Sequence, residues 1–287
     1  MTKLELTFRP AYILSDVDGT LMNDNYMVTP ETQAQIEQLL ALENGPDFAI
    51  CTGRHPATLI KTVLPIFQGL NPRALHVVCG GAMVMDSFGK VLWKQVIEAS
   101  LVKDICQTVE SLGGGYGFGN GASFFCEREM LDRRLESLGA EKGVIDFRLA
   151  NDIKKLEQWE TSLIVINKLN PQVETYVRDL AEKHGFSLKE MMSTRTGLPY
   201  FDLTFPGINK SHGIKKMLEL KGEATEKIVM LGDGMNDLEA VEDYFGVAVA
   251  NAKDELKAVA NLILPWTNNE GAVAKFLQLL IANLATN

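Results

Sequence analysis

LSDVDGTL, residues 14–21, sets two aspartates one residue apart at the end of an apolar run and follows them at once with glycine and threonine. Side chains two apart on a strand point to the same side. If extended geometry holds to the end of the run, Asp16 and Asp18 face one site. Two ionised carboxylates that close repel each other, and a pKa rises unless a cation intervenes. A solvated turn would also account for aspartate and glycine side by side, so the rest of the chain has to decide between turn and site.

Working outward, Ala11–Ser15 (AYILS) reads as a short buried strand leading into the quoted stretch. Thr29–Pro30 opens a helix, with threonine as N-cap and proline at the first helical position. Ile36, Leu39 and Leu40 give it an apolar face, and Asn44–Gly45–Pro46 stops it. DFAICTGR then reads as a second strand ending in a polar turn. Strand, helix, strand is the signature of a parallel βαβ unit. The alternation returns near the C-terminus: SHGIKKMLELKG (helix), KIVMLGDG (strand), NDLEAVEDY (helix), GVAVA (strand), KDELKAVA (helix), NLIL (strand) and a closing helix in GAVAKFLQLLIANL. Four strand ends carry polar clusters: SDVDGT, CTGR, LGDGMND and VANA. In open α/β sheets ligands bind at the carboxyl ends of the strands, so these clusters are expected to converge.

Residues 85–200 have another texture. GKVLWKQVI alternates like an exposed strand, residues 100–112 suit a helix, and GGGYGFGNGASFFCE suits a hairpin. TSLIVIN and LPYFDLTF read as strands around a helix in PQVETYVRDLAEKHG that ends at Gly185. The expected fold is α/β: a Rossmann-like, doubly wound parallel sheet core from residues 1–84 plus 201–287, with an inserted α+β domain at 85–200.

Composition narrows the function. The chain has 287 residues, 46% of them hydrophobic and 23% charged, and a net charge of −9. That balance argues against a sequence-independent nucleic-acid surface or an anionic membrane surface. Cys51, Cys79, Cys106 and Cys126 are widely spaced without a CxxC pair, which suggests reduced core thiols rather than disulfides or zinc. The N-terminus has no apolar signal core, and no run approaches the roughly 18 apolar residues of a membrane span. A cytoplasmic protein is expected, monomeric or a small homo-oligomer.

The paired aspartates call for a hard divalent cation with oxygen ligands, which Asp233 and Asp237 could complete; Mg²⁺ is the natural candidate. Gly19 permits a turn that a side chain would obstruct. Thr20 and Thr52 offer hydroxyls, Gly53 a backbone N–H, and Lys210 a positive charge at a helix start. An oxyanion-binding group facing a metal and two acids fits phosphoryl transfer.

With these residues in place the chain resembles the haloacid dehalogenase-like (HAD) phosphatases, specifically the Cof-type subfamily, subclass IIB. DVDGTL matches the first motif, TGR the second, Lys210 in GINKSHGI the third and GDGMND the fourth, in order along the whole chain. The resemblance implies that Asp16 is the nucleophile, forming an aspartyl-phosphate, and a Mg²⁺ ligand. It implies that Asp18 is the general acid and then base, binding the metal through its backbone carbonyl. Asp233 would be the third ligand, with Asp237 supporting the metal site. The Val17 amide, Thr52, Gly53, Lys210 and Asn236 would hold the phosphate. Crowded carboxylates are expected to help keep a proton on Asp18. The inserted domain would be a cap that excludes water and chooses among small phosphorylated metabolites, either sugar phosphates or phosphorylated cofactors such as flavin mononucleotide and pyridoxal phosphate. Residues near Arg195 and Asp202 are candidates for touching the leaving group. One departure stands out: relatives often carry Asn–Gly–Ala where this chain has Gly80–Gly81–Ala82, so any leaving-group contact made by that asparagine is absent.

Two other readings share the aspartate chemistry. A phospho-acceptor regulatory protein would hold a stable phosphoaspartate, and a sugar phosphomutase would transfer phosphate within a sugar. Glycines 113–121 fit no G-x-G-x-x-G register, so a hairpin is expected there rather than a nucleotide site. Of the scattered histidines only His212, close to Lys210, has a prospect of reaching the site.

Overall fold

The structure is a computed structural model describing residues 6, 8–121, 123–137, 146–192, 197–225 and 227–284. Strand β1 (Tyr12–Ser15) is wholly buried and pairs in parallel with β2 (Asp47–Ile50) on one side. Burial on both faces is why its sequence is apolar without alternation. The intervening helix, Pro30–Leu40, is capped by Thr29, whose Oγ1 accepts from the Thr32 N–H at 3.2 Å. It ends at Leu40, earlier than its Asn–Gly–Pro stop, and Asn44 turns the chain with φ 56°. Strand β3 (Leu75–Val78) joins β2 by one parallel bridge, Cys51 to Val77, then leads antiparallel strands β4 (Met83–Asp86) and β5 (Val91–Lys94).

The middle of the chain builds its own sheet from β6 (Gly115–Asn120), β7 (Ser123–Cys126), β8 (Asp146–Leu149), β9 (Ile164–Asn167), β10 (Ser187–Met192) and β11 (Pro199–Thr204), in spatial order β10-β11-β9-β6-β7-β8. All its pairs are antiparallel except β7 with β8. The glycine-rich stretch is the β6–β7 hairpin. A Cβ on Gly119 would fall 2.0 Å from the His55 ring, so this strand's bareness serves packing against the loop that follows TGR. Helices Ala99–Ser111 and Pro171–His184 cover the sheet, the second closed by Gly185 in the left-handed region.

The chain then returns. The helix Lys210–Lys221, capped by Asn209, precedes β12 (Ile228–Gly232), β13 (Phe245–Ala248) and β14 (Leu262–Ile263), completing a parallel sheet ordered β14-β13-β12-β1-β2. This is the α/β architecture expected, with a parallel core sheet and additional sheets. One large apolar cluster gathers around β1, β2, β12 and β13; a second, with Tyr116, Phe118, Ile164 and Phe201, fills the middle region. The expected boundaries at 84/85 and 200/201 fall inside β4 and β11. No described helix is long and apolar enough to cross a membrane.

Candidate active site

β1 and β12 lie side by side, Ser15 opposite Leu231, so the chain leaves both strands at one edge of the sheet. After β1 it makes a single π turn, Val17–Leu21, closed by the Leu21 and Met22 N–H groups donating to the carbonyls of Asp16 and Val17. Gly19 sits in it at φ 73°, and a Cβ there would lie 2.4 Å from Asp233 Oδ2. Glycine is therefore what lets the first and fourth motifs touch.

The Lys210 ammonium, fully buried, donates to Asp16 Oδ1 at 2.6 Å and to Asp237 Oδ1. Burial opposes its charge, but Asp16 and Asp237 outweigh that and hold its pKa above the ordinary lysine value. Asp237 Oδ2 accepts from the N–H groups of Asp233 and Gly234 at 3.1 and 3.0 Å, fixing the turn after β12. Asp233 accepts from the Thr20 hydroxyl at 3.0 Å. Carboxylate oxygens of Asp16, Asp233 and Asp237 lie within 4.8 Å of one another. Burial pushes Asp16 up to about 7 against the pull of Lys210, with Asp237 and Asp18 adding to the rise. Burial, then Asp16 and Asp237, raise Asp233 well above the usual carboxylate range. Three carboxylates share one ammonium, and a hard cation relieves that excess. With oxygen donors only, the cluster fits a hard divalent metal. Both Asp237 oxygens are already committed, which leaves Asp16 and Asp233 as the side chains with capacity for it.

Asp18 takes a different direction. Its carboxylate receives Arg54 in a two-pronged ion pair, Nε to Oδ2 at 2.7 Å and a terminal nitrogen to Oδ1 at 2.6 Å. The carboxylate crowding expected around Asp18 falls instead on Asp16 and Asp233; Asp18's near partner is a cation. Arg54 stands in the quoted CTGR, yet only the fold reveals its partner.

Thr52 is buried, and its Oγ1 accepts from the Arg54 N–H at 3.2 Å. Gly53 and Asn236 line one pocket with Asp202 and Lys189. A methyl group on Gly53 would lie 3.5 Å from Asn236 Nδ2 and 3.6 Å from Asp202 Oδ2. Val17 has a buried side chain and stands at the start of the π turn. Burial lifts Asp202 up to about 7 in spite of Lys210. His212 does not join this group: its ring packs against Trp93 at 5.7 Å. Arg195 lies outside the described residues. Lys189 was not singled out from sequence. It crosses from β10 to pair with Glu239 beside the fourth motif.

The family model for haloacid dehalogenase-like hydrolases matches residues 13–277. The chain is 23% identical to Phosphatase YwpJ of Bacillus subtilis (strain 168), over 94% of this chain and 99% of that protein. It is 25% identical to 5-amino-6-(5-phospho-D-ribitylamino)uracil phosphatase YitU of the same organism, over 94% and 97%. Among solved structures, one described as the HAD subclass IIB sugar phosphatase BT4131 superposes with a TM-score of 0.74 at 21% identity, covering 93% of this chain and 97% of that one. The chain belongs to the haloacid dehalogenase-like hydrolases. It is an enzyme of their phosphatase class.

Proposed function

We propose that this chain is a Mg²⁺-dependent phosphomonoesterase of the cytoplasm, acting on small phosphorylated metabolites, sugar phosphates or phosphorylated cofactors, through a phosphoaspartate on Asp16. The observation that carries the reading is the buried Asp16 carboxylate with one oxygen held by Lys210, beside Asp233 at the carboxyl edge of the sheet. The names of YitU and BT4131 support the substrate range, and four buried thiols suit a reducing compartment. Parallel sheet and β6–β11 sheet, each with its own apolar cluster, act as core and cap.

In this reading Oδ2 of Asp16 attacks phosphorus and the ester P–O bond breaks. Asp18, once its ion pair with Arg54 opens and it has taken up a proton, gives that proton to the departing alkoxide. Water then attacks the phosphorus, Asp18 takes its proton, and cleavage of the acyl-phosphate P–O bond restores the Asp16 carboxylate and frees phosphate. Lys210, Thr52, Asn236 and the Val17 and Gly53 amides hold the phosphoryl oxygens. Asp16, Asp233 and the Asp18 carbonyl would hold Mg²⁺, with Asp237 holding Lys210 and the β12 turn in place. Bound Mg²⁺ offsets the repulsion between the Asp16 carboxylate and the incoming phosphate. Arg54 orients the Asp18 carboxylate at the rim, where the leaving group departs.

The test is phosphate release from p-nitrophenyl phosphate and a panel of sugar and cofactor phosphates. Wild type with Mg²⁺ should turn over and lose activity to a chelator. Asp16→Asn should fall by at least about 10⁴-fold, as loss of a nucleophile does. A metal-loaded wild type inert across the panel would sink the reading. A persistent phospho-Asp16 would favour the regulatory alternative, and transfer to a second sugar the mutase.

A further inference from the structure

Asp202 sits on β11, in register with Lys189 on β10. A cross-strand lysine is the natural partner for a carboxylate, yet the Lys189 ammonium is drawn across to Glu239. Asp202 Oδ1 is buried and makes no hydrogen bond among the described residues. A buried carboxylate oxygen without a donor costs about 1–3 kcal/mol or more, and the lysine opposite it in register is engaged elsewhere. The other oxygen, Oδ2, faces Gly53 and Asn236, so the unpartnered group lies beside the residues proposed to grip phosphate.

Gly80 lines the same pocket. Its N–H donates to the Thr52 carbonyl at 3.1 Å, tying it to the second motif. It has φ 63°, and a Cβ built there meets nothing within 4 Å. The missing side chain therefore leaves open space next to the phosphate loop. Asparagine tolerates the left-handed region better than other side-chain-bearing residues, so the backbone here could carry one without rearrangement. Leu163 and Ile208 supply apolar wall, and no aromatic ring is among the described lining residues, so a flat heteroaromatic leaving group finds no stacking partner.

We propose that Asp202 and Gly80 set leaving-group specificity: Asp202 hydrogen-bonds a hydroxyl of the leaving group, and the bare Cα of Gly80 admits bulk that a side chain would exclude. This rests on the phosphatase reading above. The substrates it selects are phosphate esters of flexible polyhydroxylated chains, over those of flat aromatic rings.

The experiment compares kcat/KM for sorbitol 6-phosphate, glycerol 3-phosphate and p-nitrophenyl phosphate. Asp202→Leu should lower the ratio of sorbitol 6-phosphate to p-nitrophenyl phosphate by at least about 100-fold, because a site built to bind a hydroxyl discriminates strongly. Asp202→Asn, which keeps shape and one acceptor, should restore part of that ratio. Gly80→Asn should lower the ratio of sorbitol 6-phosphate to glycerol 3-phosphate by about 10-fold. Ratios that stay at the wild-type value, or an equal fall on every ester, would overturn the assignment, since a role through Lys210 or the fold cannot tell leaving groups apart. If wild type hydrolyses none of them, the phosphatase reading fails, and calorimetry still judges the pocket. Sorbitol 6-phosphate should bind Asp16→Asn at least about 10-fold more tightly than it binds Asp16→Asn/Asp202→Leu; equal affinities would reject the subsite.

Discussion

The parallel sheet and the β6–β11 sheet, the core and cap walls of the proposed cleft, treat charge in opposite ways. On the core wall the charged side chains are engaged with one another: Lys210 with Asp16 and Asp237, Asp237 with two backbone N–H groups, Asp233 with Thr20, Asp18 with Arg54. On the cap wall Asp202 keeps an oxygen without a donor among the described residues, while Lys189 leans away to the core. Preorganised charge is what stabilises a developing transition state. An unpartnered acceptor is what discriminates between ligands. On the proposed reading the two walls divide the labour, reaction on one and selection on the other.

The sharpest way to break this contrast is Lys210→Met. Removing the cation from a buried cluster leaves its carboxylates uncompensated, which costs about 3–5 kcal/mol. For a chain of this size that should lower the melting temperature by on the order of 10 °C, measured by calorimetry without metal. A near-neutral effect would mean that the core wall is not held together by its charges. Gly19→Ala comes next. A methyl group there would meet Asp233 Oδ2 at 2.4 Å in a left-handed backbone, for about 1–2 kcal/mol of backbone strain. Phosphatase activity and Mg²⁺ affinity should fall further than stability does. Equal losses would place Asp233 outside the working part of the site.

The core wall was readable from sequence because its parts are short and local. DVDGT, TGR and GDGMND each sit at a strand end, and parallel topology alone brings them to one edge of the sheet. Asp16, Asp233, Asp237 and Lys210 do meet there, and so do Gly53 and Asn236 a little further out. What stayed hidden depends on contacts between distant segments. Arg54 finds Asp18 across 36 residues and Lys189 finds Glu239 across 50. Neither pairing leaves a periodic trace. Strand β10 reads SLKEMM, partly exposed along its whole length, so it shows neither clean alternation nor an apolar run and was not anticipated. The expected boundary at 200/201 falls inside β11 for a related reason. LPYFDLTF is a recognisable strand, but which sheet it joins is settled by its pairing with β9 and β10.

Asp202 also sharpens the contrast through pH. Its folded pKa of about 7 stands above the ordinary 3.8. A group raised in this way contributes stability that is present in full below its unfolded pKa and is lost as pH rises through the folded value. Wild type should therefore lose stability between about pH 4 and 7 in part through this carboxyl. Asp202→Asn, which cannot ionise, should be less sensitive, gaining about 2–3 kcal/mol relative to wild type from pH 5 to pH 8. Denaturant titrations at the two pH values measure it. A constant difference would mean that Asp202 does not carry its ionisation cost in the folded state.

The smallest effect expected is that of Lys189→Ala. The ion pair with Glu239 is about one-third exposed on both sides, 30% and 33%, and pairs with that much access to water contribute about 0–1 kcal/mol. Stability should barely move. The pairing nevertheless joins β10 of the cap sheet to the helix Leu238–Asp243 beside the fourth motif, and it keeps Lys189 from the carboxylate opposite it in register. Lys189→Ala leaves Asp202 as unpartnered as before, so the preference for hydroxylated esters should survive. Glu239→Gln should do something else. It frees the Lys189 ammonium to turn to Asp202, filling the acceptor that the fold keeps open, and the preference should weaken. If Lys189→Ala erased selectivity while Glu239→Gln left it intact, the lysine rather than the aspartate would be the reader on the cap wall.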